Sequence, residues 1–304
     1  MNPVKFLKWI AVLLITAVVF FGVLPLILIG LFANFLPSFD LASTDTANVN
    51  KIAVVEIQEV ILDSRKVLEQ LYKQAHDDSV KGIVLRIDSP GGAVGPSQEI
   101  YSAVKKLKEK KPIIASMGSV AASGGLYASL AASKVLCQPG TLTGSIGVLL
   151  QMPNFTKIAD QYGFQMHTFK SGKFKDTGNS FRELNSEDKA LLQETIDESY
   201  DAFISAVSKG RNIPLEQVRE FADGRVILGS SALELGLVDG YGDIYDAARL
   251  VFEELGEPLE EDEMPKLIYP LDKDKIWKKF FEAVLPLDGL IARSSAFNLS
   301  LIHI

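Results

Sequence analysis

Short β-branched runs alternate with helical patterns along residues 51–208, and this alternation constrains the fold more than any other feature. The predicted strands are Ile52–Ile57, Gly82–Ile87, Pro112–Ala115, Val135–Leu136 and Met166–Phe169. The predicted helices are Ser64–His76, Ser97–Lys108, Ser123–Ala132 and Ser186–Ser208, the last with Gly210 as its stop signal. A further segment, Phe155–Tyr162, comes before the long helix. Such alternation is typical of an α/β domain with a mainly parallel sheet.

A second feature is a run of 31 uncharged residues, Trp9–Phe39. A membrane-spanning helix needs about 20 such residues. We therefore expect residues 1–39 to form a short cytoplasmic tip and a single transmembrane anchor. Lys5 and Lys8 should hold the N-terminus in the cytoplasm, with the rest of the chain on the other side. A cleavable signal peptide is the alternative, but its apolar region is usually about 7–15 residues and ends in a small-x-small site.

The remaining domain boundaries are predicted from composition. Residues 40–50 are small and polar and read as a linker, residues 51–255 as the folded domain, and residues 256–304 as an acidic linker with an amphipathic helix. Apolar residues of that helix recur at helical spacing between Trp277 and Leu285. It could pack on the domain or on another subunit, or lie on a membrane surface.

Composition excludes several classes of protein. The net charge of −7 argues against a nucleic-acid-binding protein, which usually carries a basic excess. Cys137 is the only cysteine, so an intramolecular disulfide is impossible. No Cys/His cluster offers a metal site, and we expect neither metal nor cofactor.

The first glycine-rich segment is Asp88-Ser-Pro-Gly-Gly92, between a predicted strand and a predicted helix. Glycines allow backbone conformations that other residues avoid. Backbone N–H groups held in this way can bind an oxyanion. The segment could equally be a plain strand-to-helix turn.

The second segment is Ser119-Val-Ala-Ala-Ser-Gly-Gly125. A serine at a strand-to-helix turn among small residues can expose its hydroxyl, as in the nucleophile elbow. Ala121 departs from that pattern, which has glycine there. The alternative interpretation of Ser123 is a helix N-cap.

A serine nucleophile needs a base. The three histidines are poor candidates: His76 lies among charges, His167 in a predicted strand and His303 near the end of the chain. The remaining option is a lysine. With an ordinary pKa of about 10.4, a lysine is neutral in roughly one molecule in 2,500 at pH 7, so it needs apolar surroundings. The third segment, Ser171-Gly-Lys-Phe-Lys-Asp176, offers two lysines, and the neighbouring Asp176 is a mild objection.

Together these motifs resemble the S49 peptidases, the signal peptide peptidase A family, in its short single-domain bacterial form. The matching segments lie in order within residues 50–255, and are Asp88–Gly92, Met117–Gly125, Thr143-Gly-Ser-Ile-Gly-Val148 and Ser171–Asp176. Gln58-Glu-Val-Ile61 replaces the Gly-Pro-Ile that usually comes after the first strand.

The resemblance implies a ClpP/crotonase-like α/β fold, a spiral of ββα units. It implies a serine nucleophile at Ser123 and a general base at Lys175 rather than Lys173. It also implies oxyanion donors at the N–H groups of Gly92 and Gly124, and a supporting role for Ser145 in orienting the lysine.

The implied partners are apolar remnant signal peptides, the membrane and further copies of the chain. Active sites would lie near subunit junctions, so that Lys175 could serve a neighbour's Ser123. The implied location is the bacterial inner membrane, with the catalytic domain outside the cytoplasm. Two other functions stay open: a crotonase-like acyl-CoA enzyme, and a non-catalytic membrane scaffold of the same fold.

Overall fold

The computed structural model describes Trp9, Leu13, Leu14, residues 16–24 and residues 51–270. The chain divides into two units, Met1–Ala47 and Asn48–Ile304. In the first unit the described residues are helical, with a π-helical turn at Val19–Val23. Within the described parts of the chain, no helix is both long and apolar enough to cross a membrane. Much of the predicted anchor, and all of the predicted C-terminal amphipathic helix, fall outside the described residues.

The second unit alternates strands with helices, as the sequence predicts. Its strands are β1 (Lys51–Gln58), β2 (Val80–Ser89), β3 (Ile113–Ala121), β4 (Lys134–Cys137), β5 (Leu142–Gly144), β6 (Val226–Leu228), β7 (Gly240–Tyr241) and β8 (Lys266–Ile268). Its helices are α1 (Arg65–Ala75), α2 (Val94–Leu107), α3 (Gly124–Ser129), α4 (Thr156–Gln161), α5 (Ser186–Arg211), α6 (Leu215–Phe221), α7 (Gly229–Glu234) and α8 (Ile244–Glu254).

The strands form one mixed, mostly parallel sheet in the order β6-β5-β3-β2-β1-β8. Strand β4 also pairs with β3 and continues to β7. Only the β5–β6 pair is antiparallel among the strands described. Strand β3 changes neighbour along its length, since Ser116 pairs with Leu136 of β4 whereas Val120 pairs with Leu142 of β5.

The core lies on both faces of this sheet, because the central strands are apolar in both directions. On one face, Val55, Leu85 and Ala115 pack beneath α1, α2, α3 and α5. On the other face, Val84 and Ile114 pack against α8. The carboxyl ends of β2 and β3 emerge between these layers, and the loops after them carry the glycine-rich segments.

Three sequence predictions are wrong in detail. The strand predicted at Pro112–Ala115 continues to Ala121, because Val120 pairs with Leu142 of β5 and Ala121 pairs with Ser89 of β2. Residues 166–169 form no strand, and Phe169 is 98% exposed in a loop. Helix α5 does not stop at Gly210 but runs to Arg211, where Asn212 takes the left-handed conformation that ends it.

Strand β8 lies beyond the predicted domain limit at residue 255. It pairs in parallel with β1, with Ile52 opposite Leu267. The sheet therefore extends to residue 268, past the acidic segment that sequence composition marks as a linker.

Candidate active site

Ser123 lies at the turn between β3 and α3, with a strained backbone. Its φ is 52° and its ψ −117°, a region that residues other than glycine rarely adopt. Such strain costs of order 1–3 kcal/mol and persists only where the surroundings enforce it. Here the N–H of Ser123 donates to the Gly144 carbonyl at 2.8 Å, and its own carbonyl accepts from the N–H of Tyr127 at 2.8 Å.

The hydroxyl of Ser123 is buried and has no hydrogen-bond partner among the described residues. It makes no capping bond to α3, although Ser123 occupies the N-cap position. Stability alone does not account for this serine, because a buried polar atom normally has a partner. The strained turn resembles a nucleophile elbow, but the hydroxyl is buried rather than exposed as expected. The missing capping bond disagrees with the N-cap interpretation.

The loop carrying Gly92 packs directly beside the start of α3. Ile61 bonds the two residues that flank Gly92, donating to the Gly91 carbonyl at 2.9 Å and accepting from Ala93 at 2.8 Å. This leaves the Gly92 N–H without a partner in the described part of the chain. A side chain at Gly92 would overlap the Ile61 carbonyl, so only glycine fits.

Gly124 is equally confined. A Cβ atom there would overlap Ser97 Oγ and stand 3.2 Å from the Gly92 nitrogen. The Gly124 N–H opens helix α3, where backbone donors have no partner within the helix. The structure thus brings Ser123, Gly92 and Gly124 together, with two N–H groups beside one hydroxyl.

Ser145 belongs to the same cluster through its backbone. It comes directly after Gly144, which accepts from Ser123, and its own N–H donates to the Arg225 carbonyl at 2.7 Å. Its φ of 51° also lies in the left-handed region. The sequence motif around Ser145 therefore forms one wall beside the Ser123 turn.

Lys175 lies elsewhere, in an exposed loop between α4 and α5. The Ser123 hydroxyl has no hydrogen-bond partner among the described residues, so Lys175 does not bond it within this chain. Lys173 pairs with the carboxylate of Glu187. Lys173 is thus held in an ion pair, whereas Lys175 is exposed on the loop.

An ion-pair network anchors the Lys175 loop. Asp176 accepts from Lys170 at 2.5 Å and pairs with Arg182 at 3.2 Å. Arg182 also pairs with the buried Asp188 at 2.5 Å, and Thr177 donates to Asp188 at 2.7 Å. The Lys170 ammonium and then the Arg182 guanidinium hold the pKa of Asp176 below its usual range.

The same network includes the start of α5. Asn185 and Asp188 form a reciprocal capping box there, with the Asp188 N–H donating to Asn185 at 2.8 Å. Hydrogen bonds from Arg182 and Thr177 keep the pKa of Asp188 well below its usual range. The carboxylate of Asp176 is therefore paired with Lys170 and Arg182 rather than with Lys175. The neighbouring Asp176 is then no objection to Lys175 as the base.

Neither of the two histidines in the described part of the chain supplies a base to Ser123. His76 closes α1, where its Nδ1 meets the Tyr72 carbonyl at 2.7 Å and its Nε2 meets Lys110 Nζ at 2.9 Å. His167 is exposed in a loop rather than placed in the predicted strand. Within the described ranges, no three His, Cys, Asp or Glu side chains cluster so as to hold a metal.

Sequence reasoning missed two groups. One is Arg182, whose bridge between Asp176 and Asp188 fixes the loop. The other is the carboxylate of Asp88, which accepts from the Val120 N–H at 3.0 Å, three residues before Ser123. The motif Asp88–Gly92 marks the second position, but nothing in the sequence pairs it with Val120.

Two family models match the chain. That of peptidase family S49 covers residues 105–256, half of the sequence, and that of Clp protease covers residues 46–144. Together with the mixed sheet, the second match confirms the predicted ClpP-like α/β fold. The solved structure of a ClpP1 point mutant from Listeria monocytogenes is 17% identical, with a TM-score of 0.44, over 64% of this chain and 94% of that one.

Several curated relatives match a large part of the chain. A provisionally named protease of Synechocystis sp. is 42% identical over 203 residues, which cover 66% of this chain and 73% of that protein. A protein of Enterococcus faecium, provisionally named signal peptide peptidase SppA, is 39% identical, over 59% of this chain and 53% of its own. Protease 4 of Haemophilus influenzae is 36% identical over 65% of this chain, but over only 34% of its own length.

Proposed function

Since the chain belongs to peptidase family S49, the signal peptide peptidase A family, and is a serine peptidase of that type, we propose that Ser123 and Lys175 form its catalytic pair. The observation that carries this proposal is the buried hydroxyl of Ser123, which has no partner among the described residues and lies on a strained turn close to the backbone of Gly92 and Gly124. A hydroxyl close to two backbone donors suits acyl transfer, in which a nucleophile and an oxyanion site must adjoin.

The proposed reaction assigns each of these groups a step. Neutral Lys175 takes the proton of Ser123, and the Oγ atom attacks the carbonyl carbon of a peptide bond. The negative charge that develops on the carbonyl oxygen is stabilised by the N–H groups of Gly92 and Gly124. Lys175 then returns the proton to the departing amine. Water hydrolyses the acyl-enzyme by the reverse route, with Lys175 again as the base.

The lysine is proposed to come from a neighbouring copy of the chain. Two observations support this: the Ser123 hydroxyl has no partner within its own described chain, and Lys175 is exposed on an anchored loop. An assembly with active sites near subunit junctions would complete the pair. Burial at such a junction also provides the condition under which a lysine most readily loses its proton. Ser145, whose segment lies beside Ser123, would orient the lysine side chain.

The proposed substrates are remnant signal peptides, and the proposed location is the bacterial inner membrane with the catalytic unit outside the cytoplasm. The uncharged run Trp9–Phe39, preceded by Lys5 and Lys8, supports this assignment. Several apolar side chains described in that run are exposed, among them Trp9 and Phe21. An anchored peptidase could reach apolar peptides left in the bilayer. A reporter enzyme that is active only outside the cytoplasm should be active when it is fused after residue 50. A reporter that is active only in the cytoplasm should be inactive at the same position, and the reverse result would contradict the topology.

Covalent labelling tests the proposed nucleophile. A fluorophosphonate probe, added to the full chain in detergent, should label one peptide, and mass spectrometry should place the adduct on Ser123. Ser123→Ala should remove the label. The control is Ser119→Ala, because Ser119 is an exposed serine of the same segment. Labelling that survives Ser123→Ala would overturn the proposal.

A further inference from the structure

The pairing between β2 and β3 is interrupted just before the Ser123 turn. Ile87 lies opposite Met117, and the next pair is Ser89 with Ala121. One residue of β2, Asp88, therefore faces three residues of β3, 118–120. Such a bulge bends a strand and re-aims the residues after it. Here it coincides with the change of β3 from β4 to β5 as its neighbour.

The exposed side chain of Asp88 lies against this bulge. Its Oδ1 atom accepts from the Val120 N–H at 3.0 Å. A Cβ atom at Gly118 would stand 3.0 Å from the Asp88 Cγ and 3.2 Å from Oδ1, so the absent side chain makes room for the carboxylate. The carboxylate thus takes the place of a backbone acceptor that β2 cannot supply to the bulged strand.

Two threonines satisfy the carbonyl groups around the bulge. Thr141 Oγ1 donates to the Gly118 carbonyl at 2.9 Å, and Thr143 Oγ1 donates to the Ala121 carbonyl at 2.7 Å. Both threonines are buried. The bulge is therefore held by side chains from two neighbouring segments, with Asp88 on one side and the threonines on the other.

The bulge leads directly into the strained turn. Ala122 donates to the Ser89 carbonyl at 3.1 Å, and Ser123 comes next with its φ of 52°. A strained residue keeps its conformation only where the surroundings over-determine it. Asp88 begins the segment that ends in Gly92. Its side chain therefore links the loop that carries Gly92 to β3, the strand that leads to Ser123.

We propose that Asp88 is a positioning residue for the peptidase reaction: through Val120 it holds the β3 bulge and thereby fixes Ser123 relative to Gly92. The role rests on the proposed function of Ser123. Asp88 acts by accepting a hydrogen bond, so its negative charge is not required. An amide oxygen at the same position should accept the same bond.

Three variants of the full chain test this role. Asp88→Ala removes the acceptor, Asp88→Asn keeps an acceptor without the charge, and Asp78→Ala removes an exposed carboxylate just before the opposite end of β2. We expect Asp88→Ala to lower kcat roughly hundredfold with little change in KM, the size of effect that a misplacement of about 1 Å can produce. Asp88→Asn should keep most of the activity, and Asp78→Ala should match wild type.

Amide hydrogen exchange supplies a readout independent of activity. Exchange at Val120 should accelerate in Asp88→Ala and stay slow in Asp88→Asn, with equal melting temperatures as the check on folding. Slow exchange and full kcat in Asp88→Ala would overturn the positioning role alone. Loss of activity in Asp88→Asn equal to that in Asp88→Ala would overturn it too, because the acceptor is then not what matters. If Ser123→Ala cuts peptides as fast as wild type, the proposed function itself is wrong.

Discussion

The backbone N–H of Ser123 donates a 2.8 Å hydrogen bond to the carbonyl of Gly144, the residue before Ser145. This bond joins two motifs that lie 21 residues apart in the sequence. It helps to hold Ser123 in a conformation that a serine avoids, and it sets the Ser145 segment beside the turn. The strain at Ser123 is thus maintained by a partner segment as well as by its own loop.

Two replacements of Ser123 should both abolish activity but differ in stability. Ser123→Ala and Ser123→Gly both remove the hydroxyl, and neither should cleave peptides. Glycine adopts a φ of 52° readily, whereas alanine retains the strain, so Ser123→Gly should be more stable than Ser123→Ala by about 1 kcal/mol. Urea denaturation of both variants measures this difference. A less stable glycine variant would show that the turn is not strained.

The two lysines of the third motif should behave differently. Lys175→Ala should lower the rate of peptide cleavage at least about hundredfold, the usual contribution of a general base. Lys173→Ala should keep most of the activity, since Lys173 forms an exposed ion pair with Glu187 and such pairs contribute little. Steady-state kinetics on both variants, with circular dichroism to check folding, decides the assignment. Equal losses would leave Lys175 without support.

Mixing inactive chains tests whether the pair is shared between subunits. Ser123→Ala chains and Lys175→Ala chains should each be inactive alone. Co-assembled at equal amounts, they should recover about a quarter of wild-type activity, because a junction needs an intact residue from each of two chains. No recovery, from an assembly shown to be mixed by mass spectrometry, would mean that Lys175 serves its own chain.

The Lys175 loop should loosen in acid. The pKa values of Asp176 and Asp188 lie below their usual range near 4, so their pairing stabilises the folded loop above that pH and is lost as the pH falls through the lowered values. Hydrogen exchange over residues 170–182, corrected for intrinsic rates, should be slow at pH 6 and faster well below pH 4. Arg182→Leu should show fast exchange already at pH 6. A loop that loosens between pH 5 and 7 would contradict this explanation.

Much of the fold could be predicted from the sequence, because β1, β2 and α1 carry strong local patterns of apolar residues. The limits of β3 could not. Its continuation through Gly118–Ala121 depends on Asp88, Thr141 and Thr143, whose contacts are made only after the sheet assembles. The sequence predicts a strand over residues 166–169 where the structure has a loop, since alternation of residue types does not reveal whether a neighbouring strand exists.

The candidate site, like the fold, could be predicted only in part from the sequence. The family resemblance implies Ser123, Gly92 and Gly124 as neighbours, and the structure brings these three together. They give no sign of the bond to Gly144 or of the bridge that Arg182 makes to Asp188, because both join segments through tertiary contacts. The distance between Lys175 and Ser123 in an assembly is not a property of one chain, so neither the sequence nor a single chain fixes it.

The most direct test of the central claim is cleavage of a signal peptide. The full chain in detergent would be incubated with a synthetic apolar signal peptide, beside Ser123→Ala as the matched control, and the products followed by mass spectrometry. We expect the wild-type chain to cut within the apolar region of the peptide and the Ser123→Ala chain to leave it intact. Equal cleavage by both chains, or none by a wild-type chain shown to be folded and assembled, would contradict the proposed reaction.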